Sequence, residues 1–117
     1  MEPQELIRVM IADDHNMFVE GIESILEGMD HIRVVSKCYT GPEVFEKLAD
    51  TPADVILLDI NLPGMNGIEV CQKLNKEYPD MRVLALSMHN EESFVTEILK
   101  HGALGYILKN TGKKELL

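Results

Sequence analysis

Five short apolar runs punctuate the chain at near-regular intervals: Leu6 to Ala12, Ile32 to Tyr39, Asp54 to Leu58, Arg82 to Ser87 and Gly105 to Lys109. Between them the apolar positions spread to a helical period, as in Phe18, Ile22, Ile25, Leu26 and Met29. The same spacing recurs in Val70, Cys71 and Leu74, and in Phe94, Val95, Ile98 and Leu99, so each intervening segment is expected to be a helix with one buried face. Local punctuation agrees. Thr40-Gly41-Pro42 opens the second helix, Asn90 is placed to cap the fourth, and Gly102 follows His101 where that helix should stop.

The stretches Val9–Ala12, Val55–Leu58 and Val83–Leu86 contain no polar residue, as expected of parallel strands covered on both faces. These are predicted to be the central strands. Residues 32–37 mix Arg33, Ser36 and Lys37 into the run and are predicted at an edge. Alternating strands and helices with right-handed crossovers then give an α/β fold, a flavodoxin-like three-layer sandwich. Its five-stranded parallel sheet takes the order 2-1-3-4-5, with helices on both faces and the switch point between the first and third strands.

At 117 residues with 45% apolar content, the chain is expected to form one domain over 1–117 with a substantial core. Gly112 to Leu117 look like the start of a fifth helix that the C-terminus cuts short. Eleven Lys and Arg face twenty Asp and Glu, a net charge of −9 that opposes direct binding of this chain to nucleic acid. Cys38 and Cys71 lack C-x-x-C spacing and are expected to be reduced core thiols. The acidic start Met1 to Glu5 does not resemble a secretion signal, and no apolar run approaches the roughly 18 residues of a membrane span, so the expected location is the cytoplasm, away from membranes.

In a sheet of this kind ligands gather at the carboxyl ends of the strands. Asp13 and Asp14 follow the first strand, Asp59 the third, Ser87 ends the fourth and Lys109 the fifth, so four strands aim polar groups at one rim. Two carboxylates at about 4 Å repel by about 4 kcal/mol at an effective dielectric near 20, so the three acids call for a cation. Oxygen donors favour a hard ion such as Mg2+. Lys109 and Ser87 could then engage a phosphoryl group, and an ionised Asp59 needs no general base to attack one.

Asp13-Asp14, the segment Asp59 to Gly67, Leu86-Ser87 and the run Gly102 to Lys109 together resemble the response-regulator receiver family of two-component signalling across nearly the whole chain. The wording Asp13-Asp14-His15, Ser87-Met88-His89 and Gly105 to Lys109 is similar to receivers of LuxR-type regulators, which precede a helix-turn-helix DNA-binding domain. The resemblance implies that Asp59 is the phosphoacceptor, that Asp14, Asp59 and the Asn61 backbone carbonyl hold Mg2+, and that Asp13 acts through water. It further implies that Lys109 pairs with the phosphoryl group, and that Ser87 and Tyr106 form a switch remodelling the face of the fourth helix, fifth strand and fifth helix. Asn61 and His89 match positions that tune the phosphoryl lifetime. A sensor histidine kinase is the implied donor, homodimerisation follows activation, and the output is transcription through a DNA-binding domain missing from this chain. No turnover activity is implied.

One departure is Asn110, where many members carry a proline that fixes a cis bond; no geometry is expected for that peptide. Competing functions fit less well. An aspartate-nucleophile phosphatase would want an acid at position 61, where Asn stands, and a dinucleotide site would want G-x-G-x-x-G after the first strand, where Asp13-Asp14-His15-Asn16 stands. A degenerate, purely protein-binding receiver would lack some of these polar residues. His15 and His89 fall near the rim and are expected to be solvated rather than ligands. His101 is expected to serve the end of the fourth helix.

Overall fold

The computed structural model describes residues 6–88 and 92–109. Its elements alternate without exception: β1 (Ile7–Ala12), α1 (Asn16–Glu27), β2 (Ile32–Cys38), α2 (Gly41–Asp50), β3 (Val55–Asp59), α3 (Gly67–Glu77), β4 (Arg82–Ser87), α4 (Glu92–Lys100) and β5 (Gly105–Leu108). The strands form one parallel sheet of order β2-β1-β3-β4-β5. β2 is an edge strand, and β1, β3 and β4 lie inside, as the distribution of charge along the runs predicts. The expected fifth helix, the Asn90 cap, His89 and the Lys109–Asn110 peptide lie outside the described residues.

Strand boundaries differ from the apolar runs by one residue at several ends. Leu6, Tyr39 and Lys109 fall outside their strands, and β3 begins at Val55 and includes Asp59. β2 also carries an irregularity: Val9 pairs with Val34 but Met10 with Ser36, so Val35 is an extra residue in the ladder. Such a bulge leaves no mark in an apolar pattern.

Alternation along the central strands sends side chains to two cores. Met10, Ala12, Ile56, Leu58, Val83 and Ala85 face α2, α3 and α4, which contribute Val44, Leu48, Val70, Leu74, Val95 and Ile98. Val9, Ile11, Leu57 and Leu86 face the other way, toward Val19 and Ile22 of α1. On that second face a hollow of about 290 Å³ opens between Ile22 and Leu26 of α1 and the strand residues Val55, Leu57, Leu84 and Ile107.

The helix starts follow their sequences. Thr40 caps α2, its hydroxyl accepting from the Glu43 N–H, with Pro42 in the first turn. Asn66 caps α3 in a reciprocal box with Glu69: the Asn66 side chain accepts from the Glu69 N–H at 2.9 Å, and Glu69 accepts from the Asn66 N–H at 3.1 Å. His15 occupies the cap position of α1 without a side-chain cap bond. At the other end of α4, Gly102 takes φ +110, and His101 reaches across to α3 with Nε2 3.1 Å from the Gln72 amide nitrogen.

Candidate functional site

Because all five strands run the same way, the residues that end them share one rim, and β1 and β3 are neighbours there. Asp13 leaves β1 with its backbone N–H donating to the Cys38 carbonyl at 2.9 Å, and its carboxylate accepts from the His15 N–H at 2.9 Å. Asp59 is the last residue of β3. Its Oδ1 accepts from the Asn61 N–H at 3.2 Å. The Lys109 ammonium crosses to both: it donates to Asp13 Oδ1 at 3.1 Å, lies 2.9 Å from Asp13 Oδ2 and reaches Asp59 Oδ2 at 3.5 Å. It also stands over the Phe18 ring of α1, 5.1 Å from its centre.

Burial separates these groups. Asp13, Asp59, Ser87 and Lys109 are buried, whereas Asp14 is exposed to solvent. A lysine is rarely buried without partners, and here two carboxylates supply them. Burial, and next the charge of Asp13, push the Asp59 carboxyl above its ordinary range; Lys109 and the Asn61 N–H pull in the opposite direction. Asp13 Oδ2 accepts no hydrogen bond among the described residues despite complete burial, its contact with Lys109 being an ion pair without hydrogen-bond geometry. The Ser87 hydroxyl is likewise buried with no hydrogen-bond partner among the described residues.

The loop after Asp59 is fixed by close packing. A Cβ on Gly67 would fall 2.5 Å from the Asp59 carbonyl oxygen and 2.6 Å from the Ile60 Cα, while the Gly67 N–H donates to the Ile60 carbonyl at 2.7 Å. Gly41 presses against Met65 in the same loop and donates to the Pro63 carbonyl at 3.0 Å. Gly64 adopts φ +83, a conformation that residues with a side chain rarely take. The backbone bearing Asp59 is thus seated against the starts of both α2 and α3.

The structure brings Asp13, Asp14, Asp59 and Lys109 into one cluster, with carboxylate oxygens of all three acids and a His15 ring nitrogen lying within 4.8 Å of one another. This acidic pocket could bind a metal ion. Ser87 ends β4 one residue beyond Leu86, the register partner of Asp59. Tyr106 stands apart from the acids: it is 51% exposed. It lines a groove of about 390 Å³ with Ser87, Val95, Leu99 and Leu108.

His15 lies at the rim with its ring exposed, as expected. Its ring is largely solvated, yet Nδ1 lies 2.9 Å from Asp13 Oδ1, 3.4 Å from Asp14 Oδ1 and 2.7 Å from Lys109 Nζ. The sequence signal was its position directly after the paired acids. Phe18 was visible only as an apolar position on α1, with nothing to announce its contact with Lys109.

Comparison with known proteins agrees with this geometry. The profile of the response regulator receiver domain family matches residues 9–117. The chain is 42% identical over 111 residues to the transcriptional regulatory protein DegU of Brevibacillus brevis, covering 95% of this chain and 47% of that protein. It is 36% identical to the response regulator GacA of Pseudomonas viridiflava, covering 96% and 52% respectively. The chain therefore spans about half the length of these curated relatives. Among solved structures it resembles the signal receiver domain of the response regulator NarL from Mycobacterium tuberculosis, with TM-score 0.86, 34% identity and coverage of 96% and 90%. It also resembles a LuxR-family two-component response regulator from Aurantimonas, with TM-score 0.85, 28% identity and coverage of 96% and 80%.

Proposed function

This chain belongs to the response regulator receiver domain family, and from that membership we propose that it is a phosphorylation switch whose acceptor is Asp59. The observation that carries the reading is the buried Lys109 ammonium held between Asp13 and Asp59. An ammonium in that position can answer the negative charge that a phosphoryl group brings to Asp59.

Asp59 attacks the phosphorus of a phosphohistidine through Oδ2, since Oδ1 is held by the Asn61 N–H. The new P–O bond forms as the P–N bond to the donor imidazole breaks, and the imidazole keeps the electron pair and takes a proton. Lys109 stays close to the acceptor oxygen and orients the incoming group. The donor is a sensor histidine kinase. Position 61 is Asn rather than an acid, so no side chain two residues on is suited to activate water for rapid turnover, and we read the domain as a switch rather than an enzyme.

The donor set fits Mg2+: oxygens from three carboxylates converge, and buried Asp13 Oδ2 has no hydrogen bond among the described residues. Asp14, Asp59 and the Asn61 carbonyl would hold the ion, with Asp13 acting through water, and the ion would neutralise phosphoryl charge when bound. Ser87 and Tyr106 are the proposed switch. The buried hydroxyl gains an acceptor in the new phosphoryl group, and the groove beside Tyr106 gives its ring somewhere to turn. The α4–β5 side of the domain is the proposed surface of homodimerisation, and the proposed output is transcription through a DNA-binding domain beyond this chain. Asn61 and His89 tune the phosphoryl lifetime. No helix among the described residues is long and apolar enough to cross a membrane, and we place the domain in the cytoplasm.

Incubation with a small phosphodonor and Mg2+ should add one phosphoryl group to the wild type and none to Asp59→Asn, read by intact-protein mass spectrometry. Lys109→Ala should slow the addition by about 10²-fold, the usual cost of losing one well-placed electrostatic partner. Equal uptake by the wild type and Asp59→Asn would overturn the assignment.

A further inference from the structure

His15 contributes more than a solvated ring at the rim. His15 Nδ1 lies 2.7 Å from Lys109 Nζ, which can only donate, and 2.9 Å from Asp13 Oδ1, which can only accept, so this ring nitrogen sits between a cation and a carboxylate. The nitrogen therefore faces inward, toward the space shared by the three acids. The cation it meets is also ringed by Asp13 Oδ1 at 3.1 Å, Asp13 Oδ2 at 2.9 Å and Asp59 Oδ2 at 3.5 Å. Around that point, the fold has assembled one nitrogen donor and several oxygen donors.

The spacing of these donors suits a metal as well as an ammonium. Neighbouring donors on a six-coordinate dication with bonds of about 2.1 Å stand about 3.0 Å apart. His15 Nδ1 lies 2.9 Å from Asp13 Oδ1 and 3.4 Å from Asp14 Oδ1. Asp13 Oδ2, fully buried and without a hydrogen bond among the described residues, faces the same space. Imidazole is a poor partner for Mg2+ but a good one for first-row transition ions, whose affinity for nitrogen donors exceeds that of hard cations.

Resting on the reading of the acid cluster as a cation site, we infer that His15 Nδ1 is a further metal ligand and biases this site toward a first-row transition dication over Mg2+. The nitrogen adds to the carboxylate donors and gives Mg2+ little. Lys109 must leave His15 Nδ1 for a metal to take it, and the acceptor Asp59 lies within its reach.

The test titrates Mn2+ and Mg2+ separately into the intact wild-type chain and into His15→Ala, with Mn2+ also followed by electron paramagnetic resonance. Wild type should bind both ions, and the bound Mn2+ should show coupling to an imidazole nitrogen. His15→Ala should lose that coupling and about 10-fold in Mn2+ affinity while its Mg2+ affinity changes far less. Because release of Lys109 in the variant would move both affinities together, the ratio of the two is the deciding quantity. Mg2+ binding with an unchanged ratio and no nitrogen coupling would overturn the role of His15 and leave the acidic site standing. Failure of either ion to bind the wild type would overturn the cation site itself, and the ligand role with it.

Discussion

At the scale of single residues, Asp59 sits where the fold is not at its most stable. Its carboxyl holds its proton more tightly in the folded domain than in the unfolded chain, first because it is buried and next because Asp13 is close. By linkage, stability falls as pH rises from the ordinary carboxyl value of about 4 through the raised folded value, and the whole penalty is present above it. Asp59→Asn removes that penalty and keeps an acceptor oxygen for the Asn61 N–H. In the presence of chelator at neutral pH, the variant should melt about 4 °C above the wild type, equivalent to about 1 kcal/mol. The difference should vanish below about pH 4, where both states of the wild type are protonated. A calorimetric series across pH checks it; equal midpoints at neutral pH would contradict the electrostatic account. Asp13, Asp14, Asp59 and Lys109 were legible as a candidate site because each lies at or just beyond the carboxyl end of a strand. His15 was not, because solvent exposure of a ring says nothing about where one of its nitrogens points.

At the scale of elements, the seat of Asp59 depends on glycines more than on the strand that carries it. The Gly67 Cα lies so near the Asp59 and Ile60 backbone that no side chain fits, and rigid main chain on both sides cannot yield as a flexible side chain would. Gly67→Ala should therefore destabilise the domain by about 2–3 kcal/mol, measured by urea unfolding, and slow phosphorylation of the folded fraction by displacing the acceptor. A loss under about 0.5 kcal/mol would mean that the loop can move aside. Strand order and the division into central and edge strands could be read from the apolar runs, because burial on both faces leaves a continuous pattern. The extra residue at Val35 and the capping box at Asn66 could not be read that way. The first depends on hydrogen-bond register, which side-chain polarity does not record, and the second on where the tight loop from Asp59 releases the chain.

At the scale of the whole molecule, parallel strands give the two rims of the sheet different tasks. The carboxyl rim collects Asp13, Asp59, Ser87 and Lys109 in a buried cluster. The opposite rim carries an exposed pair, Arg8 with Asp54, in which both guanidinium and backbone N–H groups of Arg8 donate to the Asp54 carboxylate. The arginine holds the Asp54 carboxyl down at about 2, so this contact survives until strongly acid conditions, yet its exposure to solvent leaves it a small contribution to stability. The two rims also differ in how much change of length each can accept. Gly41, Gly64 and Gly67 leave the loop behind the acceptor no slack, so one added residue between Asn61 and Asn66 must push Asp59 or unseat two helices. The bend through Pro79 and Asp80 at the far rim carries no such constraint, and surface connections of that sort tolerate insertions cheaply. A library of single-residue insertions, scored by solubility and phosphoryl uptake, should find the far bend permissive and the acceptor loop closed to lengthening.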